Sequence, residues 1–236
     1  MHPRKENGII DYGVKGYDIP QLSALLKLCE QTVLDRGGSK LFYFAATPFA
    51  LIRNEEISVL ERLGFVSEEY PRLTAHLSPL SQWVEPAELD SSRIAAEPEM
   101  ELDEIYRIMV EDDNRTDADV FKHQFQEREP SNVLLTLRSE SGDITAIAYY
   151  KVKQVMMYRD DLSALAFNIH FRPQFELHRK EKRRFLQAAL HSMKQLDVDS
   201  VNATFSLRHF DTLTLLVQEG FDDFIANMLL MTKMLK

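Results

Sequence analysis

Two hydrophobic periods alternate along the first third of the chain. Leu22, Leu25, Leu26, Cys29 and Val33 recur at three- and four-residue spacing, the stripe of an amphipathic helix predicted from about Pro20 to Asp35. Pro20 suits its first turn, and Gly37-Gly38 supply a stop. Leu41-Phe42-Tyr43-Phe44-Ala45-Ala46 is an unbroken apolar run between polar flanks, the pattern of a strand covered on both faces. Asn54 is placed to cap a helix over Glu55–Leu63 that Gly64 ends. Short strands are predicted at Phe65–Tyr70 and Leu73–Leu77, and an earlier one at Gly8–Lys15.

The rhythm breaks at Ser78–Ser92, where Pro79, Pro86, Ser91 and Ser92 mark a linker, with Trp83 and Val84 as its anchors. A strand at Arg93–Glu97 follows, then a helix over Leu102–Val110 that opens on acidic residues. A second helix is predicted over Asp117–Glu127. Asn132–Arg138 and Ile144–Val152 read as strands joined by the hairpin turn Ser139-Glu140-Ser141-Gly142-Asp143. Leu162–Phe171 is a strand, Glu181–Leu196 a helix, Val201–Phe205 a strand and His209–Gln218 a helix ended by Gly220. Phe224–Leu235 gives one or two closing strands, with Met228, Met231 and Met234 as strand core. The class is α/β (α+β). One order repeats: amphipathic helix, apolar strand, short helix, Gly-Phe, strand. It ends at Gly64-Phe65 and again, one domain length later, at Gly220-Phe221.

Composition narrows the function. The 236 residues, 44% of them hydrophobic, suffice for one or two folded domains. A formal net charge of −9 argues against a general nucleic-acid binder. A single cysteine, Cys29, excludes an internal disulfide, fits a reducing cytoplasm and reads as an inert thiol on an apolar helix face. No apolar segment follows Met1-His2-Pro3-Arg4-Lys5, so no signal peptide is expected. No apolar run approaches the ~20 residues of a membrane span. The histidines lack metal-ligand spacing, so no metal site is expected.

Three stretches resemble the GNAT superfamily of acyl-CoA-dependent N-acyltransferases. Residues Ile94 to Tyr106 are similar to its opening strand and acidic helix start, and Asn132–Val152 to its central hairpin. Thr212–Phe221 and Asn54–Phe65 are similar to its late helix. The resemblance implies a mixed β-sheet flanked by helices. It also implies a complete copy in residues 93–236, a linker at 78–92, and the C-terminal half of a second copy in residues 1–77, a tandem arrangement that occurs in the superfamily. The implied reaction is transfer of an acyl group from acetyl-CoA or another acyl-CoA to an amine on a small molecule or peptide. On that resemblance Asn168, Ile169, His170 and Phe171 line the pantetheine, and Arg179, Lys180, Lys182, Arg183 and Arg184 meet the phosphates.

The residues depart from the family at two places. Its phosphate loop uses glycines so that backbone amides and a helix N-terminus can approach the pyrophosphate. The equivalent stretch here, His178 to Phe185, has no glycine, and Tyr17 to Ser23 in the first copy has none either, although Gly13 and Gly16 lie upstream. The five cations could hold a diphosphate by charge-assisted hydrogen bonds, or form a solvated face opposing the helix macrodipole. The tyrosine that many members use as a proton donor is replaced by Leu60 and Leu216. His170 and His209 read as structural, and Asp160 and Asp161 as turn residues or as a base acting through water. No catalytic residue is assigned, and a degenerate binding or assembly module is the alternative. An unpartnered strand at Gly8–Lys15 would leave an open edge. Packing on the C-terminal domain is the expected remedy; a homodimer and a further N-terminal segment are the others.

Overall fold

The computed structural model describes residues 7–9, 19–49, 51, 53–68, 70–97, 102–111, 118, 131–154 and 162–235. Among them the predicted elements form almost in full. In chain order they are β1 (Asn7–Ile9), α1 (Ile19–Asp35), β2 (Lys40–Pro48), α2 (Glu55–Arg62), β3 (Val66–Ser67), β4 (Arg72–Leu77) and β5 (Ile94–Ala96). Then come α3 (Leu102–Glu111), β6 (Asn132–Arg138), β7 (Ile144–Gln154), β8 (Leu162–Phe171), α4 (Arg179–Gln195), β9 (Val198–Ser206), α5 (Phe210–Gln218) and β10 (Asp223–Met234). The helix expected over Asp117–Glu127, most of the strand expected at Gly8–Lys15, and Asp160 and Asp161 lie outside the described residues. Phe224–Leu235 makes one long strand rather than two.

Two compact units result. The first comprises residues 1–74, 206–208 and 225–236, the second 75–205 and 209–224. These units cut the chain differently from the sequence division into 1–77, 78–92 and 93–236. The physical reason is strand pairing. β10 runs antiparallel to β2 over nine residue pairs, from Ala226↔Pro48 to Met234↔Lys40, so the end of the chain joins the first unit.

In the first unit β2 lies between β1, which is parallel to it, and β10, whose far side also carries β3. Leu22 and Leu26 of α1 and Ile57 and Leu60 of α2 pack on Leu41, Ala45, Leu229 and Met231. The Asn54 side chain accepts the Ile57 amide at 2.9 Å and caps α2 as predicted. Cys29 is half-buried against this core. Met231 is fully buried, whereas Met234, expected as core, is 58% exposed at the strand end.

In the second unit the strand order is β9-β8-β7-β6-β5. β8 is parallel to β9 and antiparallel to β7. The last residues of β4, from Ala75, belong here and flank β9. Ile105, Ile108 and Met109 of α3 pack on Ile147 and Tyr149 of β7. The segment expected as a linker holds a short 3-10 turn, Leu80–Gln82, with Leu80 and Trp83 buried. The Trp83 indole donates to Glu219 at 3.0 Å. Val84, the second expected anchor, is 85% exposed: the chain leaves the turn with that side chain pointing to solvent.

The repeat seen in the sequence has a structural counterpart. A parallel strand pair, a 17-residue helix, a nine-residue strand and a short helix occur in each unit. Gly64 and Gly220, at φ of +90 and +93°, end the two short helices in the left-handed region that favours glycine. The hydrogen-bond pattern yields a prediction. Residues 1–77 expressed alone lack β10, so the amides of β2 should exchange without protection. Protected, two-state behaviour of a monomeric 1–77 fragment would show that β2 does not need this partner.

Candidate functional site

The site begins where two strands part. β8 and β9 are in register at Leu162↔Val198, Ser163↔Ser200, Ala164↔Val201 and Phe167↔Ala203. The register stops there, although β8 continues to Phe171 and β9 to Ser206. On its other side β8 stays paired, with Asn168, Ile169, His170 and Phe171 opposite Tyr149, Ala148, Ile147 and Ala146. The Arg172 amide donates across to Thr145 O at 2.9 Å. Because amides alternate along a strand, those of Ile169 and Phe171 then point into the gap. The β7–β8 pairing carries a register shift between Tyr149 and Lys151, beside the gap.

Side chains alternate as well. Phe171 meets Phe185 of α4 edge-on, with ring centroids 6.4 Å apart. His170, which is 2% exposed, stacks on Tyr149 on the α3 side, with centroids 6.0 Å apart. The four β8 residues expected at one site are therefore together along the gap, with their side chains divided between the two faces of the sheet.

At the open end of the gap lies a cavity of about 270 Å³. Phe171, Arg172 and Phe175 line it from β8 and the following loop, Lys182 from α4, and His209, Asp211 and Thr212 from the start of α5. Two contacts hold the loop. The Arg172 Nε donates to Glu111 Oε2 at 2.7 Å, and Gln174 donates to the same oxygen at 2.9 Å. Burial pushes the Glu111 carboxyl upward, but the bonds from Gln174 and Arg172 and the nearby positive charge outweigh it, so it titrates below the ordinary glutamate value.

The five cations predicted at one phosphate site have different partners. Lys182 donates to Asp211 at 2.7 Å and lies 5.1 Å from the centroid of the Phe171 ring. Arg183 donates to Glu219 at 2.6 Å. Glu219 is 5% exposed and also accepts from Gln187 and from Trp83, so it ties α4, α5 and the Trp83 turn together. Arg184, with Arg93, faces Asp90. Hydrogen bonds from Ser92 are the main reason that this carboxyl titrates low, and the two cations add to it. Arg179 and Lys180 are exposed on the first turn of α4 and have no ion pair among the described residues. Glu181 accepts the His178 amide at 3.1 Å and closes that turn.

Leu60 and Leu216, at the positions of the family's tyrosine, are 0% and 1% exposed and belong to the core. Sequence reasoning did not single out Asp211, Arg172 or Glu219. An acid in the first turn of a helix is a common stabilising choice and carried no sign of a partner on another helix. No group of three or more His, Cys, Asp or Glu among the described residues could hold a metal ion. No described helix is long and apolar enough to cross a membrane.

No protein-family model and no curated protein matches the sequence. Solved structures do match the fold. A GCN5-related N-acetyltransferase from Sphaerobacter thermophilus aligns over 100% of this chain and 75% of its own, at TM-score 0.65 and 12% identity. A tandem GNAT protein from the clavulanic acid biosynthesis pathway aligns over 90% of this chain and 69% of its own, at TM-score 0.57 and 12% identity. Saccharomyces cerevisiae N-myristoyltransferase with bound myristoyl-CoA aligns over 94% and 61%, at TM-score 0.59 and 13% identity. The chain thus has the GNAT fold, a mixed α/β sheet flanked by helices.

The Glu111 contacts give a pH prediction. A carboxyl whose folded-state pKa lies below its unfolded value adds stability above the unfolded pKa and loses it as pH falls through the folded one. Glu111→Gln should lower Tm near neutrality by about 2–4 °C. The difference from wild type should close as pH drops below the ordinary glutamate range. A difference that persists unchanged at pH 2 would remove the charge from the explanation.

Proposed function

We propose that the second unit binds an acyl-CoA and transfers its acyl group to an amine. The parting of β8 and β9 beside a cavity and an exposed cationic helix start carries this reading. When bound, the thioester supplies an activated acyl group, with CoA thiol as the leaving group. The amides of Ile169 and Phe171 point into the gap, where they can donate to a carbonyl oxygen and polarise it. Asn168, Ile169, His170 and Phe171 would border the pantetheine. Arg179, Lys180 and Lys182 would meet the phosphates, with Arg183 and Arg184 adding field from behind. The solved neighbours, N-acetyltransferases and a myristoyl-CoA-bound N-myristoyltransferase, support this donor class.

The same reading takes the first unit as the second half of another copy. Its matching helix–strand–helix series and the tandem GNAT neighbour support this. A second reading, a binding or assembly module that lost the chemistry, rests on two observations. The stretch 178–185 has no glycine, and Leu216, where a proton donor would stand, is buried in the core.

Thermal unfolding with acetyl-CoA separates the outcomes. Ligand at 100 times its Kd should add about 2.7 kcal/mol of stability. Arg179→Glu with Lys180→Glu should remove that shift while leaving the unliganded Tm in place, because both side chains are exposed. Unimpaired binding by the double variant would exclude the α4 start as the phosphate site. Binding without acyl transfer to any amine in a broad panel would favour the binding module.

A further inference from the structure

We infer that Asp211 is an intramolecular competitor for the anion site: its carboxylate occupies the Lys182 ammonium that an incoming phosphate needs. This inference rests on the acyl-CoA reading for the identity of the natural ligand, but not for the competition itself.

The geometry is specific. Lys182, in the first turn of α4, and Asp211, in the first turn of α5, face each other across the wall of the 270 Å³ cavity, and both line it. The ammonium donates to Asp211 Oδ2 at 2.7 Å, the length of a charge-assisted bond. It also rests against the Phe171 ring, which fixes its direction. The other Asp211 oxygen accepts the Thr212 amide at 3.0 Å. One carboxylate therefore takes up both a side-chain cation and a backbone donor at a helix start, the two elements from which anion sites are built.

The other charges around the cavity do not substitute for Lys182. Arg172 is bound to Glu111, and Glu176 adds a second negative charge to the lining. His209 acts on Asp211 and helps to hold its carboxyl low. Burial works in the opposite direction and is the largest single influence, but the Lys182 bond and charge, with the Thr212 amide, prevail. Asp211 is thus ionised under ordinary conditions, and an anion approaching Lys182 meets its negative charge and competes with it for the ammonium. The arrangement selects for ligands that engage several donors at once, as a diphosphate does with Arg179 and Lys180, over single small anions.

The test uses the full chain and isothermal titration with two probes, inorganic pyrophosphate and CoA. Asp211→Asn removes the charge. Asp211→Ser, which keeps a short oxygen at the helix start, serves as a second variant should the first fold poorly. Both should bind pyrophosphate more tightly than wild type by about fivefold, the upper range for freeing one exposed ion pair. The gain should vanish in the double variant Asp211→Asn with Lys182→Gln. Unchanged or weaker pyrophosphate binding by folded Asp211 variants, including no binding at all, overturns the inference. If pyrophosphate tightens while CoA binds no variant, the competition stands and the acyl-CoA reading falls. If CoA binds wild type and neither variant gains for either probe, the competition alone falls.

Discussion

Backbone amides and carbonyls buried in a sheet must find partners, and this requirement governs both units. Among the described residues, the helix–strand–helix series of the first unit supplies β2 with one neighbour from nearby sequence, β1, through a three-residue parallel register. Its other edge is closed by β10, from the far end of the chain, over nine residue pairs. The second unit likewise takes in the last residues of β4, which flank β9. Each unit therefore depends on a strand whose sequence neighbours lie mostly in the other.

Against that background the gap between β8 and β9 is the exception. Four residues of β8 keep their pairing with β7 and have lost register with β9. A gap of this kind offers a ligand the same amides that a neighbouring strand would have bound. Phe167 meets Tyr150 of β7 and Phe171 meets Phe185 of α4, both edge-on. The strand end thus stays in place although its register with β9 has ended.

The charges around the gap are allocated by burial. Glu219 is almost fully buried and would be costly without donors, so Arg183, Gln187 and Trp83 are committed to it. That junction sets the position of α4 against α5 and, with it, the facing of Lys182 and Asp211 across the cavity. The outermost pair, Arg179 and Lys180, stays exposed, with no ion pair among the described residues. A cluster that is uniform in sequence is therefore divided in space between cations with carboxylate partners and cations exposed to solvent.

The sequence by itself determined most of the elements. The three- and four-residue spacing of Leu22, Leu26 and Val33, the apolar run at Leu41–Ala46, the Asn54 cap and the left-handed Gly64 and Gly220 are local signals, set by side-chain periodicity and backbone sterics. The GNAT fold was legible through the resemblance of a few stretches to that superfamily, and the solved structures match it. Strand partnership was not. β10 has the same pattern whether it closes its own series or pairs with β2, because the alternation of apolar residues records which face is buried and not which strand lies alongside. The partners of Lys182 and Arg183 were hidden as well. Asp211 and Glu219 lie some thirty residues away, and only the packing of α5 against α4 brings those carboxylates within hydrogen-bonding distance of the cations.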